Sequence, residues 1–392
     1  MGIGASASIG ASPGSAGTEK VGAGDTAARH GKVVHRPTLA AVAALAGVSA
    51  STASLAFSGS GPVSEATRER VLAAAGTLNY AGPDPRAQSL RRGRSGIVGV
   101  VIEDRLRDAF RDPMNIAMLD GLADETGALG AGLLLLTDTG DGAISMDTAP
   151  LDAVVLVGCS TRLDAAVAVL RQRGIPLVAI EAAPMDGVLD IALDNREASR
   201  TLARHLKELG HSDVALVTLP LDPARARGPL TAQREAESTG FTASERIRGV
   251  REVYPKAPGR VAAGSLIEEG KRAGLELLQH ARLRPTAIIA QSDLLAVGVI
   301  RAAEELGLRV PDDVSVVGFD GVRLDGVAPY DLTTMVQPAV EKGRAAGRAV
   351  VSLLTSGDPQ PVSLASVFHE GNTTSQVEAQ AKGSYGRASS VI

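Results

Sequence analysis

Tryptophan is missing from this chain, and aromatic side chains fill only 2% of its 392 positions, as five Phe and four Tyr. A site that grips flat ligands on aromatic faces is hard to build from so few rings. Cysteine is scarcer still. Cys159 stands alone, which excludes a disulfide within the chain and a thiolate metal cluster. The histidines are scattered: His30 and His35 lie in or beside the N-terminal stretch, His205 and His211 flank a helix end, and His280 and His369 are isolated. None has metal-ligand spacing or an adjacent nucleophile, so no catalytic centre, metal site or cofactor is expected. No apolar run is long enough to span a bilayer, and the first residues have neither a basic start nor an apolar core segment for export. The expectation is a cytoplasmic protein with no membrane partner. Residues 1–33 are dominated by Gly, Ala and Ser and read as a disordered tail. Gly2, Gly4 and Gly10 follow no strand and lack phosphate-loop spacing. Translation from Val33 or Val34 is an open alternative to Met1.

What is present begins with residues 34–82, which read as three short helices. Thr38 is an N-cap candidate, and Leu39, Val42, Ala43 and Leu45 follow it at helical spacing. Gly47 suits a tight turn that needs positive φ. Ser49 then caps a second helix, Ala50 to Ser58. Ala53, Ala56 and Phe57 of that helix can face inward, leaving Ala50, Ser51, Thr52, Ser54, Leu55 and Ser58 outside. Ser64 caps a third helix whose buried face is read as Val71, Leu72, Ala75 and Leu78, with Asn79 left-handed at its end. A basic segment follows. Residues 34–94 hold seven Arg, no Lys and only Glu65, Glu69 and Asp84 in opposition, a net +4, while the whole chain is −4. The remainder therefore carries −8. An acidic protein with one basic end is expected where only that end touches phosphate.

Beyond Ser95 the pattern changes to short apolar runs suited to buried parallel strands: Ile97–Ile102, Gly132–Thr137, Ala153–Val157, Leu177–Ile180, Val214–Leu219, Ala287–Ala290 and Val314–Phe319. Amphipathic helices such as Glu197–Leu209 and Leu294–Leu306 lie between them. This alternation predicts doubly wound parallel sheets, whose ligands bind at the carboxyl ends of strands.

The sequence closely resembles the lac repressor/galactose repressor (LacI/GalR) family of bacterial regulators. The resemblance rests on Thr38-Leu39, Val42-Ala43, Ala46-Gly47-Val48-Ser49, Thr52, Ser54, Val63-Ser64, Thr67-Arg68, Val71, Asn79-Tyr80, and Ala87 with Leu90. In the body it rests on Asp194-Asn195, Leu209-Gly210-His211, Ala290-Gln291-Ser292-Asp293, the run Val310 to Asp320, Leu332-Thr333-Thr334 and Gln337-Pro338, and it extends to about Thr374. It implies an all-α helix-turn-helix headpiece and an α/β body of two doubly wound parallel-sheet lobes, like a periplasmic binding protein. DNA contacts would come from Thr38, Ser49, Ala50, Ser51, Thr52, Ser54, Leu55 and Ser58, with Ala50 to Phe57 in the major groove. Arg86 to Arg91 would form a hinge helix over the minor groove, with Arg86, Ala87 and Arg91 at the DNA and Leu90 wedged between base steps. The effector would meet Asp194, Arg246, Ser292 and Asp320, with Phe110 lining the other lobe. The chain departs from the family in several places. Ala50 and Leu55 stand where many members carry Arg or a large polar residue, Ser58 and Ser292 where they carry Asn, and Ala41 where an acidic residue is frequent. Structural roles stay open for several of these residues: Leu55 packing inside, Arg246 holding Glu245 or Asp320, and Asp194 capping a helix.

The predicted organisation is a tail (1–33), a DNA-binding domain (34–82), a hinge (83–94), an effector-binding and dimerisation domain (95–374) and a flexible C-terminal tail (375–392). Lobe 1 is taken as residues 95–208 and 337–363, lobe 2 as 209–336 and 364–374. Residues 220–242 form an Arg- and Pro-containing insert, read as either a pocket rim or a mobile loop. The last residues lack heptads, so no tetramerising coiled coil is expected. The functional expectation is a homodimeric transcription regulator, a repressor on a pseudopalindromic operator, answering to a small polar, sugar-like effector. The alternatives are a solute-binding protein for transport, an enzyme of sugar metabolism, and a regulator whose DNA specificity has weakened.

Overall fold

The computed structural model describes residues 37–59, 61–84, 89, 93–102, 109–137, 144–158, 164–322 and 329–377. They belong to two compact units, Met1–Pro85 and Arg86–Ile392. The expected N-terminal tail, the C-terminal residues from 378 on, and the hinge residues Arg86, Ala87, Leu90 and Arg91 lie outside the described residues.

The first unit is built from α1 (Leu39–Ala46), α2 (Ala50–Ser58) and α3 (Glu65–Thr77). Each begins on a hydroxyl that accepts from the first turn: Thr38 from Ala41 N–H, Ser49 from Thr52 N–H and Ser64 from Thr67 N–H. Gly47 has φ 65° at the end of α1. Asn79 has φ 54°, and Tyr80 N–H returns to the Ala75 carbonyl at 2.8 Å, which closes the end of α3 in a Schellman-type turn. The core is largely alanine: Val42, Ala43, Ala46, Ala53, Ala56, Val71, Ala74 and Ala75 are buried, with Leu39, Val48, Phe57 and Leu78 packed around them. Two expected core residues are not there. Leu45 is 54% exposed and Leu72 is 48% exposed. The inward stripes run through Val42, Ala43 and Ala46 and through Val71, Ala74 and Ala75, each one position away from the bulkier leucine. Alanine faces let three short helices close on one another, whereas leucines on those faces would hold them apart.

The second unit opens with β1 (Ile97–Ile102), α4 (Pro113–Gly127), β2 (Gly132–Thr137), β3 (Ala153–Val157), α5 (Asp164–Gln172), β4 (Leu177–Ile180) and β5 (Leu189–Leu193). There follow α6 (Asn195–Glu208), β6 (Val214–Thr218), β7 (Gly228–Pro229), α7 (Ala232–Ala236), α8 (Phe241–Arg251), β8 (Gly259–Val261), α9 (Ile267–Leu278), β9 (Ala287–Ala290), α10 (Asp293–Glu305) and β10 (Ser315–Val317). The chain then returns through β11 (Thr334–Val336), α11 (Ala339–Leu354), β12 (Val362–Leu364) and β13 (Val367–His369). One sheet has the order β12-β5-β4-β3-β1-β2 and the other β10-β9-β6-β8-β7. All pairs are parallel except β7 on β8. A short antiparallel ribbon, β11 with β13, accompanies the crossing between them. The architecture is thus two doubly wound lobes.

The lobe boundary differs from the sequence expectation. Leu202, Ala203 and Leu206 of α6 are buried in one core with Leu216, Ile247 and Ile289. Helix α6 therefore belongs to lobe 2, and the first crossing falls at residues 193–195 rather than after 208. An amphipathic helix joins the lobe that covers its apolar face, and sequence order alone does not say which lobe that is. Residues 375–377 are also tied to lobe 2, through Ser375 N–H to Ser315 Oγ at 3.1 Å and Val377 N–H to the Leu209 carbonyl at 3.0 Å. Strands β6 and β10 are shorter than their apolar runs, because Leu219 N–H leaves the ladder for the Gln291 side chain and the Phe319 carbonyl accepts from Asp293 N–H.

In lobe 1, α4 and α11 cross backbone to backbone. A Cβ on Gly343 would lie 1.9 Å from the Met118 carbonyl oxygen, and one on Gly121 would lie 2.0 Å from that of Val340. The helices must separate to admit a methyl group. Gly343→Ala is expected to destabilise the protein by about 1–3 kcal/mol, the usual range for overpacking; an unchanged urea midpoint would contradict this crossing.

Candidate functional site

The crossings between lobes bring several strand ends together. A cavity of about 170 Å³ opens there. From lobe 1 it is lined by Asp112, Asn115 and Met118 of the α4 region, by Glu181 after β4 and by Lys342 of α11; from lobe 2 by Thr242, Arg246, Ser265, Ser292 and Asp320. Carboxyl ends of parallel strands supply Glu181 and Asp320, as doubly wound topology requires. Both have positive φ, 53° for Glu181 and 131° for Asp320. A residue other than glycine held in that region stores strain, a frequent mark of binding sites.

The floor is a closed ring of six side chains. Arg246 Nε donates to Asn195 Oδ1 at 2.7 Å, and Asn195 Nδ2 donates to Glu181 Oε2 at 2.7 Å. Lys342 Nζ donates to Glu181 Oε1 and to Gln337 Oε1 at 2.5 Å. Gln337 Nε2 donates to Asp320 Oδ1 at 2.6 Å, which stands 3.6 Å from Arg246 Nη1. Cations donate to amide oxygens, and amide NH₂ groups donate to carboxylates, so each group serves the role its chemistry allows. Arg246 also donates to the Gln291 carbonyl at 2.5 Å, and its guanidinium carbon lies 3.6 Å above the Phe319 ring centre. All six ring residues are buried.

Burial pushes the Glu181 carboxyl up, but Lys342 and Arg246 outweigh it and hold the group below the usual carboxylate range. Asp320 goes the other way: burial drives it well above that range against the pull of Arg246. Beneath it, Asp293 opens α10 and accepts from Gly321 N–H at 2.7 Å, Val322 N–H at 2.9 Å and Thr334 Oγ1 at 2.6 Å. Burial raises Asp293 to about 6 in spite of these donors. Gly318 leaves room for this carboxylate, since a Cβ there would fall 2.2 Å from Asp293 Oδ1.

Three of the five expected effector residues meet in this cavity: Arg246, Ser292 and Asp320. Ser292 also caps α10, accepting from Leu295 N–H at 3.2 Å and receiving the Ser265 hydroxyl at 2.9 Å. Arg246 does hold Asp320, as one open reading had it, but from a position that also faces the cavity. Asp194 is elsewhere. Its Oδ1 accepts from the N–H and hydroxyl of Ser366, each at 2.9 Å, which staples two interlobe crossings together. Phe110 is 56% exposed and does not line the cavity; Asp112, two residues on, does. The sequence reading passed over Glu181 and Lys342. Glu181 directly follows an apolar strand run, so its place was inferable; Lys342 lies inside an ordinary helix, where nothing in the sequence marks it.

The insert at 220–242 forms the cavity rim. Pro220, Asp222 and Arg225 line the opening, while Leu221 and Leu230 are buried in the lobe 2 core. Arg227 grips Glu269 with Nε and Nη2, at 2.7 and 2.6 Å. Among the described residues no cluster of His, Cys, Asp and Glu could hold a metal ion, and no single helix is long and apolar enough to cross a membrane.

The helix-turn-helix candidates also take defined places. Thr38 and Ser49 are capping residues. Ala50, Ser51, Leu55 and Ser58 are exposed on α2, and Thr52 and Ser54 are half-buried.

Because Asp293 is raised from 3.8 to about 6, the folded chain keeps its proton between those pH values where the unfolded chain has released it. This carboxyl therefore lowers stability as pH rises through that window. Asp293→Asn is expected to gain stability relative to the unsubstituted chain between about pH 4 and pH 6, on the order of 2–3 kcal/mol. Parallel pH profiles of urea unfolding for the two proteins would refute this.

Residues 38–82 match the profile of the bacterial regulatory proteins, lacI family, and residues 203–374 match a periplasmic binding protein-like domain. The chain is 35% identical over 342 residues to an HTH-type transcriptional regulator of Mycolicibacterium smegmatis, covering 83% of this chain and 92% of that protein. It is 30% identical to the ribose operon repressor of Escherichia coli, over 81% of this chain and 93% of the relative. Among solved structures, the transcriptional regulator CelR in complex with cellobiose is 26% identical, with a TM-score of 0.58 and coverage of 86% and 100%. Likeness of this extent, running through both the helical unit and the lobes, makes the chain a transcriptional regulator belonging to the lacI family.

Proposed function

We propose that the protein is a homodimeric repressor that binds a pseudopalindromic operator and responds to a small polyhydroxylated, sugar-like effector held between its lobes. The observation that carries this reading is the buried ring of Glu181, Asn195, Arg246, Asp320, Gln337 and Lys342 at the cavity floor. Carboxylates accept from hydroxyl groups, and guanidinium and ammonium groups donate to them. A cavity of about 170 Å³ is smaller than the ~300–1,000 Å³ typical of drug-sized ligands, which favours one sugar unit over an oligosaccharide. Among the described residues no aromatic side chain lines the cavity, and the Phe319 ring is covered by Arg246. Names among the relatives, a ribose operon repressor and a cellobiose complex, support a carbohydrate.

In this reading Arg246, Ser292 and Asp320 meet the effector together with Glu181 and Lys342. The outward residues of α2 meet base edges, and Arg86, Ala87, Leu90 and Arg91 meet the minor groove. Regulation requires the effector to favour one lobe arrangement over another. The protein acts by binding rather than turnover, in the compartment that holds the genome.

Selection of duplexes from a random pool by the full-length protein, followed by mobility shift with pentoses, hexoses and cyclic polyols, tests the whole proposal. No enriched duplex, or no sugar that alters binding, would overturn it. Asp320→Asn is expected to weaken effector binding about tenfold, the cost of leaving one buried hydrogen-bonding group mispaired, with operator affinity nearly unchanged. Equal calorimetric affinity would remove Asp320 from the site.

A further inference from the structure

We propose that α2 reads its operator through the methyl groups of thymine rather than through guanine edges. This rests on the operator binding proposed above and adds the base chemistry that the half-site must present. Guanine offers two acceptors in the major groove and is best read by a bidentate Arg or Lys; adenine is best read by Asn or Gln; thymine alone offers a methyl group to an apolar side chain. Along Ala50–Ser58 the helix is ASTASLAFS, with no guanidinium, ammonium, amide or carboxylate. Only the third mode is well supplied.

The hydroxyls of Ser51, Thr52 and Ser58 are drawn onto the helix and its cap. Ser49 Oγ lies 2.8 Å from both Ser51 Oγ and Thr52 Oγ1, and Ser58 Oγ donates to the Leu55 carbonyl at 3.2 Å. At 100° per residue, Ala50, Ser54, Ser58, Ser51 and Leu55 share one arc of about 140°. Ala50 and Leu55 mark its two edges. Leu55 is 37% exposed and is braced from behind: a Cβ on Gly61 would come within 3.1 Å of Leu55 Cδ2. The glycine lets the turn back onto the leucine and fix it as an apolar knob on an otherwise uncharged face. Affinity without charge on this helix comes from the surrounding arginines and phosphate, which carry no sequence information themselves. Discrimination falls to Leu55 and Ala50.

The test uses the full-length protein and the duplex it enriches from a random pool. Each thymine is replaced singly by deoxyuridine, which lacks only the 5-methyl group, and each guanine by 7-deazaguanine. One or two thymines per half-site are expected to matter, each with about fourfold weaker binding on loss of its methyl group, the equivalent of ~0.8 kcal/mol for a buried methyl-sized group. Guanine replacement is expected to change binding by less than about twofold. In Leu55→Ala the penalty at one of those thymines should vanish; the position is exposed and alanine favours helices, and circular dichroism of the variant checks that it folds. An enriched duplex that ignores uracil at every thymine, or a uracil penalty untouched by Leu55→Ala, would overturn the assignment. A pool with nothing enriched would overturn operator reading as such, and the proposed function with it.

Discussion

Arg246 is the group around which the two lobes are organised. Its guanidinium is buried, stacked on Phe319, bonded to Asn195 and the Gln291 carbonyl, and set between Asp320 and Glu181. A buried cation without partners costs far more than one hydrogen bond returns, so each contact is a condition for the others. Glu181 and Lys342 come from lobe 1, Arg246 and Asp320 from lobe 2, and Asn195 and Gln337 from the crossings between them. Neither lobe completes the ring alone. Separating the lobes therefore breaks charge-assisted bonds as well as apolar contact, while a ligand with hydroxyl groups can take their place.

Much of the fold was legible in the sequence because parallel strands buried on both faces are short continuous apolar runs. Ile97–Ile102, Gly132–Thr137, Ala153–Val157, Leu177–Ile180 and Ala287–Ala290 are strands with those very limits. Strands of other character were not seen. β5 alternates, with Asp190 between apolar neighbours, and β8 is three residues with an Arg at its centre; both are recognisable only beside their partners. The site was legible at Asp320, a charged residue that closes an apolar run; Glu181 closes another such run in the same way and was missed. The site was illegible where a helix delivers the group. Lys342 is one lysine among the polar residues of α11, and only the packing of that helix turns it inward.

The helical unit shows the opposite limit. Its caps and turns were readable one residue at a time, since Thr38, Ser49, Ser64 and Gly47 act locally. Its core was harder to read. In a sequence this rich in alanine, bulk is a poor guide to which face turns inward. Leu45 and Leu72 remain outside because closeness of approach, not side-chain size, decides the packing of such short helices.

The bidentate grip of Arg227 on Glu269, with Leu221 and Leu230 buried below it, ties the rim of the cleft to the core of lobe 2. For the effector proposed above, passage in and out would follow the swing of one lobe against the other rather than movement of this rim, and the same swing would take apart the ion-paired floor beneath.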